Sequence, residues 1–482
     1  MTTRKLFLDS YSAYGLEKSP FLVQALGPDE QGERLLIGRD AEISLVAQRL
    51  HKHGKITCLD GHVGVGKTSL VNVAAYACFQ GFLKGETPQL LIPMGESFQL
   101  KKDENVNDFC LYVFRKVAQT LLMHRAQLDM YDGSGPIANH IEPWLNSPVV
   151  QHINGALGAS ATFGLPGVVS VGVKADGATT QQLNTTGAFA EQGFEQLVRQ
   201  WLNQIFSVQG NGGVVCVIDN LELLESGSAA RRTLEALRDR LFTVNGLRWV
   251  FCGANGVIHS LAASPRLASF LSTPIIDVGH VAPLSIAPLF RTRLNEFSTD
   301  AVQAEKRLPL RIRDLEMLYI AVNFNLRHLL GMADDFCEHM YSIGATGMSE
   351  DQKEKRFKKW LDQATKVQYQ SLQSRLPTDG WGILDFAMSD DCKGTFGVGN
   401  YEAFNSNSMK TVSPANFTKW LKDLVKLGIL SKALDDDAAQ DDGFKRDVFT
   451  VTAKGALVHF ARLTAHETQS LSTVTWLRRV HS

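Results

Sequence analysis

The chain alternates short apolar runs with longer amphipathic segments, which is the pattern of strands followed by helices. A strand-like run at 56–60 precedes a glycine-rich turn, and an apolar run that suits a helix follows at 69–79. Two more short runs, at 213–219 and 249–255, are rich in β-branched residues together with cysteine or aromatic residues. Each run ends in a polar side chain. Such runs are typical of buried strands. Strands that alternate with helices predict a parallel sheet with helices on both faces, an α/β fold.

The pattern becomes helical in the second half and changes again towards the C-terminus. Apolar residues at helical spacing predict a small bundle over 286–345. A charged helix is predicted over 351–376, where we expect the charges to form a solvated face. Ser413 and Pro414 are residues expected at the cap and first turn of a helix. A β-hairpin with an acidic tip and a closing helix follow, and this order predicts a winged helix.

Residues 61–68 read Gly-His-Val-Gly-Val-Gly-Lys-Thr and fit the P-loop pattern G-x-x-x-x-G-K-[ST]. The flanking strand and helix supply the geometry that a phosphate requires, because loop N–H groups point inward and the helix N-terminus adds partial positive charge. Lys67 is expected to reach the β- and γ-phosphates, and Thr68 to hold Mg²⁺. ATP and Mg²⁺ are the predicted cofactors. The loop residues predicted to bind them are Gly61, Gly64, Val65, Gly66, Lys67, Thr68 and Ser69.

A second candidate group lies at the end of the 213–219 strand. Asp219 follows five successive apolar residues, and at the carboxyl edge of a parallel sheet it would meet the P-loop. A carboxylate there can complete the magnesium shell opposite Thr68. We therefore predict a metal site formed by Thr68 and Asp219, with Asn255 converging on the same edge.

Composition limits the class of protein without identifying it. The chain has 482 residues, enough for roughly two to four domains. Its net charge of −1 gives no overall basic field that would indicate nucleic acid. The seven cysteines include no C-x-x-C pair and favour buried thiols in a reducing compartment. Because the N-terminus also lacks the apolar core of a signal peptide, we predict a cytoplasmic protein.

One uncharged stretch, 149–173, is long enough to cross a bilayer. It contains Pro166, several glycines and polar residues, and this composition disfavours a membrane-spanning helix. Strands at 157–163 and 168–173, joined by a Leu-Pro-Gly turn, fit it better. We predict a glycine-rich hairpin insert at 149–186, whose role as a DNA loop, an oligomer contact or a surface hairpin stays open.

These motifs, in this order, resemble those of the AAA+ ATPases related to origin-recognition initiators and to the STAND signalling ATPases. The resemblance covers most of the chain. It implies that Gly38 and Arg39 lie near the adenine, that Asn255 orients the attacking water, and that Arg327 touches the γ-phosphate from a lid. It also implies that Arg266 reaches a neighbouring subunit as an arginine finger, for which a surface arginine is the alternative. The implied organisation is a lead-in segment (1–35), an AAA+ P-loop core (36–285), a helical lid (286–345), a connecting helix (346–376) and a winged-helix domain (377–482).

One position departs from that family. Its members usually follow the acid at the end of the strand with a catalytic Glu, whereas Asn220 follows Asp219 here. An amide cannot act as a general base, so Glu222, the next acid, is the candidate. The alternative is that Glu222 only begins the following helix, where negative charge is favourable. We predict slow hydrolysis, with the candidate catalytic residues Lys67, Asp219, Glu222, Asn255, Arg266 and Arg327.

Two functions stay open, and a P-loop kinase is a weaker third because it gives no reason for a winged helix. In the first, ATP assembles a homo-oligomer, and the winged helix and the insert engage duplex DNA. In the second, a STAND-type regulator controls a protein effector and the winged helix is a packing module. The acidic residues at 435–442 favour the second, since they would repel phosphate. The resemblance suggests bacterial defence or mobile-element control. The basic residues that could contact DNA are Lys419, Lys422, Lys426, Lys445 and Arg446.

Overall fold

The computed structural model describes residues 10–102, 104–129, 141, 145, 183–207, 212–224, 227–389, 392, 394–407, 411–432 and 448–466. The predicted strands of the insert, the acidic segment 435–442, Lys445 and Arg446 lie outside the described residues. Within the described part of the chain, every helix is too short or too polar to cross a lipid bilayer.

A parallel sheet of five strands forms the core. Its strands are β1 (Thr57–Asp60), β2 (Leu91–Gln99), β3 (Gly213–Asp219), β4 (Leu247–Gly253) and β5 (Ile276–Asp277). Their spatial order is β2-β3-β4-β1-β5, and every neighbouring pair is parallel. The predicted α/β fold class is confirmed by this sheet. Because β4 ends at Gly253, Asn255 follows the strand instead of ending it.

Apolar side chains leave the sheet on both faces, as alternation along a strand requires. In β3, Val214, Cys216 and Ile218 join one buried cluster, whereas Val215 and Val217 join another. The sheet is therefore buried on both sides. The helices of this region are α1 (Glu30–Leu35), α2 (Asp40–Leu50), α3 (Lys67–Leu83), α4 (Val106–Met123), α5 (Arg125–Asp129), α6 (Leu183–Ser207), α7 (Gly227–Leu237) and α8 (Val257–Leu261).

A helical bundle follows the sheet, as the periodicity predicted. Its helices are α9 (Ile286–Phe297), α10 (Ala301–Arg307), α11 (Ile312–Ala321), α12 (Leu326–Ser342) and α13 (Glu350–Gln373). Helix α10 was not predicted, because its seven residues are too few and too polar to show a period. Helix α13 has the expected solvated face except at Lys353, which is buried and donates to the Lys306 carbonyl at 2.9 Å. Phe357 and Leu361 are also buried in the bundle.

The N-terminal segment packs into this bundle. Tyr11, Tyr14 and Phe21 are buried in the same apolar cluster as the helices. The Phe21 ring stacks on Phe290 of α9 with centroids 5.7 Å apart, and the Tyr14 hydroxyl donates to the Cys337 carbonyl at 3.1 Å. The segment predicted as a lead-in thus packs against the helical bundle in its described part.

The C-terminal region combines short helices with a small antiparallel sheet. Ser413 caps helix α16 (Pro414–Lys426) by accepting the Asn416 amide at 3.3 Å, and Pro414 opens the helix as predicted. In helix α17 (Ala453–His466), Val458 is buried in the apolar cluster of this region, while Leu457 is buried in the apolar cluster of the helical bundle. The helices are α14 (Thr378–Ala387), α15 (Tyr401–Asn407), α16 (Pro414–Lys426) and α17 (Ala453–His466), and the strands β6 (Thr395–Gly397), β7 (Leu430–Lys432) and β8 (Val448–Val451) pair in the order β6-β8-β7.

Candidate functional site

The P-loop connects β1 to α3 and has the backbone that its glycines allow. Gly66 adopts a left-handed conformation, φ +96°, directly before the helix. At Gly61 a Cβ atom would lie 2.5 Å from the Val278 carbonyl oxygen, so only glycine fits. The loop therefore wraps closely around the N-terminus of α3, where amides can bind an anion.

Three predicted residues meet at the carboxyl edge of the sheet. The Lys67 ammonium is buried and donates to the carbonyls of Gly61 at 2.8 Å and His62 at 3.1 Å. The Thr68 hydroxyl donates to an oxygen of Asp219 at the end of β3. A hydroxyl and a carboxylate in contact provide the hard oxygen ligands that Mg²⁺ prefers. These residues fit the predicted metal site.

Glu222 lies beside this group, on a short 3-10 turn after β3. Burial raises the pKa of its carboxyl group, and the charge of Asp219 raises it further, while Lys67 opposes the shift. Within the described residues, its Oε2 atom is buried without a hydrogen-bond partner. Leu221 begins this turn and Glu222 is its second residue, so Glu222 does not start the element as the alternative expected. It also belongs to the electrostatic environment of the site.

Arg39 joins the P-loop to the strand that leads into the lid. Its buried guanidinium donates to the Val65 carbonyl at 3.2 Å and to the Gly279 carbonyl at 2.6 Å. The preceding Gly38 has φ +75°, and a Cβ atom there would lie 2.8 Å from the Ser285 hydroxyl. Arg39 therefore has a structural role in holding the loop, in addition to lining the cleft described below.

The lid contacts the P-loop through α12. The Asn325 side-chain amide donates to the Val63 carbonyl at 2.7 Å, and its oxygen accepts the His328 amide at 3.0 Å as the helix cap. The His62 and His280 rings stack with centroids 5.1 Å apart. Burial lowers the pKa of both imidazoles. The lid thus rests directly on the phosphate-binding loop.

A cleft opens between the P-loop, the lid and the N-terminal segment. Residues 22–26 form one wall, and the Leu26 amide donates to the Ser69 hydroxyl at 3.0 Å. The predicted site residues that line the cleft are Arg39, Gly64, Val65, Gly66, Lys67, Thr68, Ser69, Asp219 and Arg327.

Arg293 is a lining residue that the sequence did not identify as part of the site. It is buried and donates to the carbonyls of Pro20 at 2.9 Å and Leu22 at 3.2 Å. Burial lowers the pKa of its guanidinium to about 10. A signal was present, because Arg293 interrupts the apolar face of α9 between Leu289 and Phe297. A charge on an apolar helix face indicates a buried polar contact.

Three predicted catalytic residues, Glu222, Asn255 and Arg266, lie outside the lining of this cleft. Asn255 has a left-handed backbone, φ 57°, after β4. The half-exposed Arg266 side chain forms an ion pair with Asp239 at 3.0 Å. Arg266 is therefore on the surface, as both a trans-acting arginine and a simple surface residue would be.

The predicted basic face of α16 is present in its described part. Lys419, Lys422 and Lys426 are exposed and line a shallow groove together with Asp423. The Lys426 ammonium lies 3.8 Å from the Asp423 carboxylate, and the Lys419 ammonium lies over the Trp420 ring. Three lysines at this spacing can contact one phosphate backbone.

Comparisons with known proteins give similarity in fold only. No family model and no curated protein sequence matches the chain. Similar solved structures include the Aeropyrum pernix ORC2 protein in ADPNP–ADP complexes, which has 13% identity and a TM-score of 0.41 over 93% of this chain and 100% of that one. The Aeropyrum pernix ORC1 protein in complex with DNA has 13% identity and a TM-score of 0.39 over 91% of this chain and 98% of that one. The Walker-type ATPase PABY2304 of Pyrococcus abyssi has 12% identity and a TM-score of 0.42 over 92% of this chain and 99% of that one. At these values no residue role is transferred from those structures.

Proposed function

We propose that the chain is an AAA+ switch that binds ATP with Mg²⁺, hydrolyses it slowly, oligomerises with ATP and associates with duplex DNA. The observation that carries the proposal is the convergence on one cleft of the P-loop, Asp219 and the lid residue Arg327. A phosphate-binding loop alone would support nucleotide binding. A P-loop that also contacts a helical lid supports a switch, because a ligand that binds more tightly to one position of the lid shifts the lid towards that position.

Each residue of the cleft has a role in this proposal. Lys67 would exchange the loop carbonyls for the β- and γ-phosphates. Thr68 and Asp219 would hold Mg²⁺, directly or through water, and the ion would neutralise the phosphate charge. Arg327 would contact the terminal phosphate from the lid. These contacts keep the triphosphate and the lid together until the terminal phosphate is lost.

Glu222 is the proposed general base. Its raised pKa lies closer to neutral pH than that of an ordinary carboxyl group, which favours proton transfer from water. The neighbouring Asn220 offers an amide that cannot accept this proton. Hydrolysis is expected to be slow because Glu222 sits two positions beyond the family's usual base, with Asn255 as the proposed water-positioning residue.

Arg266 is proposed to act on a neighbouring subunit. Its exposed ion pair with Asp239 is weak enough to be exchanged for another anion, since exposed pairs contribute roughly 0–1 kcal/mol. A trans-acting arginine would make hydrolysis depend on assembly.

The partner is proposed to be duplex DNA, bound by the winged helix through Lys419, Lys422 and Lys426. One observation favours the alternative, a STAND-type regulator of a protein effector in bacterial defence or mobile-element control. Asp423 lies among these three lysines and weakens their attraction for phosphate. The two functions differ in how ATP hydrolysis responds to DNA.

The decisive experiment measures the ATPase rate with and without duplex DNA, over a protein concentration series at two salt concentrations, with Lys67→Ala as the inactive reference. Stimulation that rises with protein concentration and fades with salt is the expected result. An ATPase that ignores DNA at every concentration would favour the protein-effector function. The absence of any rate above Lys67→Ala would reject both.

A further inference from the structure

Three side chains of types that can ligate a metal lie together at the carboxyl edge of the core sheet, outside the cleft beside the P-loop. They are Asp60 at the end of β1, Asp277 at the end of β5 and His259 on α8. None of the three lines the cleft that holds Lys67 and Asp219. The group therefore requires its own explanation.

The backbone places the two carboxylates side by side. Strands β1 and β5 are parallel neighbours, and Asp60 is the register partner of Asp277. Register partners present their side chains on the same face of a sheet. Helix α8 then brings His259 to that face, where its Nε2 lies 3.3 Å from a carboxylate oxygen of Asp277.

The distances suit a small metal ion. One ligand atom from each of the three residues lies within 4.8 Å of the others. In a tetrahedral zinc site with ligand bonds near 2.1 Å, ligand atoms are about 3.4 Å apart. The His259–Asp277 distance already matches, and the exposed side chains of His259 and Asp277 can rotate to close the remaining gap.

Asp60 provides a second, independent sign of a missing partner. Its carboxylate accepts a hydrogen bond from the Gly256 backbone amide, but its Oδ1 atom is buried and, within the described residues, has no hydrogen-bond partner. A buried carboxylate oxygen without a donor is destabilising. A cation bound between Asp60 and Asp277 would satisfy it.

We propose that Asp60, His259 and Asp277 bind one divalent transition-metal ion of the Zn²⁺ class. Two carboxylates and an imidazole match the ligand preferences of Zn²⁺, whereas Mg²⁺ prefers oxygen ligands alone. Three protein ligands leave a fourth position for water, as in open zinc sites. The ion joins β1 to β5 directly before the P-loop and directly before the segment that leads to the lid.

Co²⁺ is the appropriate probe, because its visible absorption reports coordination number and ligand type. The full-length protein is stripped with chelator and titrated with Co²⁺, and Zn²⁺ and Mg²⁺ are then added as competitors. The test variants are His259→Gln and Asp277→Asn, which alter exposed side chains and are expected to fold. The control is His339→Gln, which changes an exposed histidine on α12.

We expect one Co²⁺ per chain with the absorption of a four- or five-coordinate ion, displaced by Zn²⁺ and not by an equal concentration of Mg²⁺. Each test variant should weaken Co²⁺ binding by at least about tenfold, as loss of a ligand does at least as much as loss of a supporting contact. The control variant should bind Co²⁺ like the wild type. Equal affinity and spectrum in the test variants, or a thiolate band from the cysteines, would overturn the proposal. Absence of Co²⁺ binding to the wild type would leave the three residues as an ion-pair cluster and would also overturn it.

Discussion

The cleft beside the P-loop and the basic face of α16 hold similar cations in opposite ways. Lys67 is buried, and its ammonium has two carbonyl partners at 2.8 and 3.1 Å. Lys419, Lys422 and Lys426 are exposed, and the 3.8 Å between the Lys426 ammonium and the Asp423 carboxylate is that of a loose surface pair. A preorganised buried charge acts strongly and at one position, whereas exposed charges act additively and are screened by salt. Substitutions in the two regions should therefore differ in the size of their effect on function and in how strongly that effect depends on salt.

The largest effect is expected from Lys67→Ala. Loss of a preorganised cation that meets developing phosphate charge should lower kcat/KM for ATP about 10³-fold, almost independently of salt. Steady-state phosphate release measures it. Lys52→Ala, at an exposed lysine after α2, is the matched control and should leave the rate unchanged. An equal loss in both variants would show that the lysine has no special role.

Glu222→Gln should separate hydrolysis from binding. Removal of a general base lowers kcat about 10²-fold, while ATP affinity stays within about twofold of wild type, because Lys67, Thr68 and Asp219 are intact. Single-turnover hydrolysis and ATP-binding titration measure the two quantities. If kcat is unchanged, Glu222 is only a structural residue of the turn after β3.

Asn325→Asp tests the contact between the lid and the P-loop. The carboxylate keeps the cap on the His328 amide but loses the donor to the Val63 carbonyl. A lost hydrogen bond contributes about 1 kcal/mol, and repulsion from phosphate adds to it, so ATP affinity should fall roughly tenfold. Isothermal titration measures this change, and thermal unfolding should be nearly unchanged.

Asn325→Ser distinguishes the two causes in that experiment. Serine also caps helices well, and it removes the amide donor without adding charge. A smaller loss of affinity than in Asn325→Asp is expected. If Asn325→Ser binds ATP like the wild type, the effect of aspartate is charge repulsion and the lid contact is dispensable.

Local features of this fold could be predicted from sequence, and distant contacts could not. The P-loop and the cap at Ser413 follow from neighbouring residues, and Asp219 was placed by a single buried strand. Arg293 and Pro20, by contrast, are 273 residues apart, and no period or motif connects them. The cleft wall at residues 22–26 was missed for the same reason, because packing of the N-terminal segment is a tertiary property. Arg39 was predicted near the adenine, but its bond to Gly279 depends on the strand order of the sheet.

The α16 face should give a smaller, graded effect. Replacing Lys419, Lys422 and Lys426 together by Gln should lower the slope of log affinity for duplex DNA against log salt by about 0.9 for each lost phosphate contact. Fluorescence anisotropy over a salt series measures the slope. The matched control removes three exposed lysines of α13, Lys355, Lys359 and Lys366. Equal slopes in both triple variants would mean that attraction is non-specific and that α16 is not the DNA face.

The smallest effect is expected from pH, through the stacked His62 and His280 rings between the P-loop and the lid. Burial lowers the pKa of both, and Lys67 beside His62 and Arg39 beside His280 lower it further. A lowered pKa means that the contact between the lid and the P-loop favours the neutral imidazoles. The stabilisation that the stack gives to this contact is therefore fully present above the ordinary histidine pKa of about 6.5. It is lost as the pH falls below that value towards the lowered pKa. ATP affinity should therefore weaken a few-fold more between pH 7 and pH 5 in the wild type than in His280→Gln, whose amide can still donate to the Phe324 carbonyl that the imidazole contacts at 3.0 Å. Because phosphate and Glu222 titrate equally in both proteins, the difference between their pH profiles isolates the histidine pair. Superimposable profiles would show that the stack does not couple the lid to the loop.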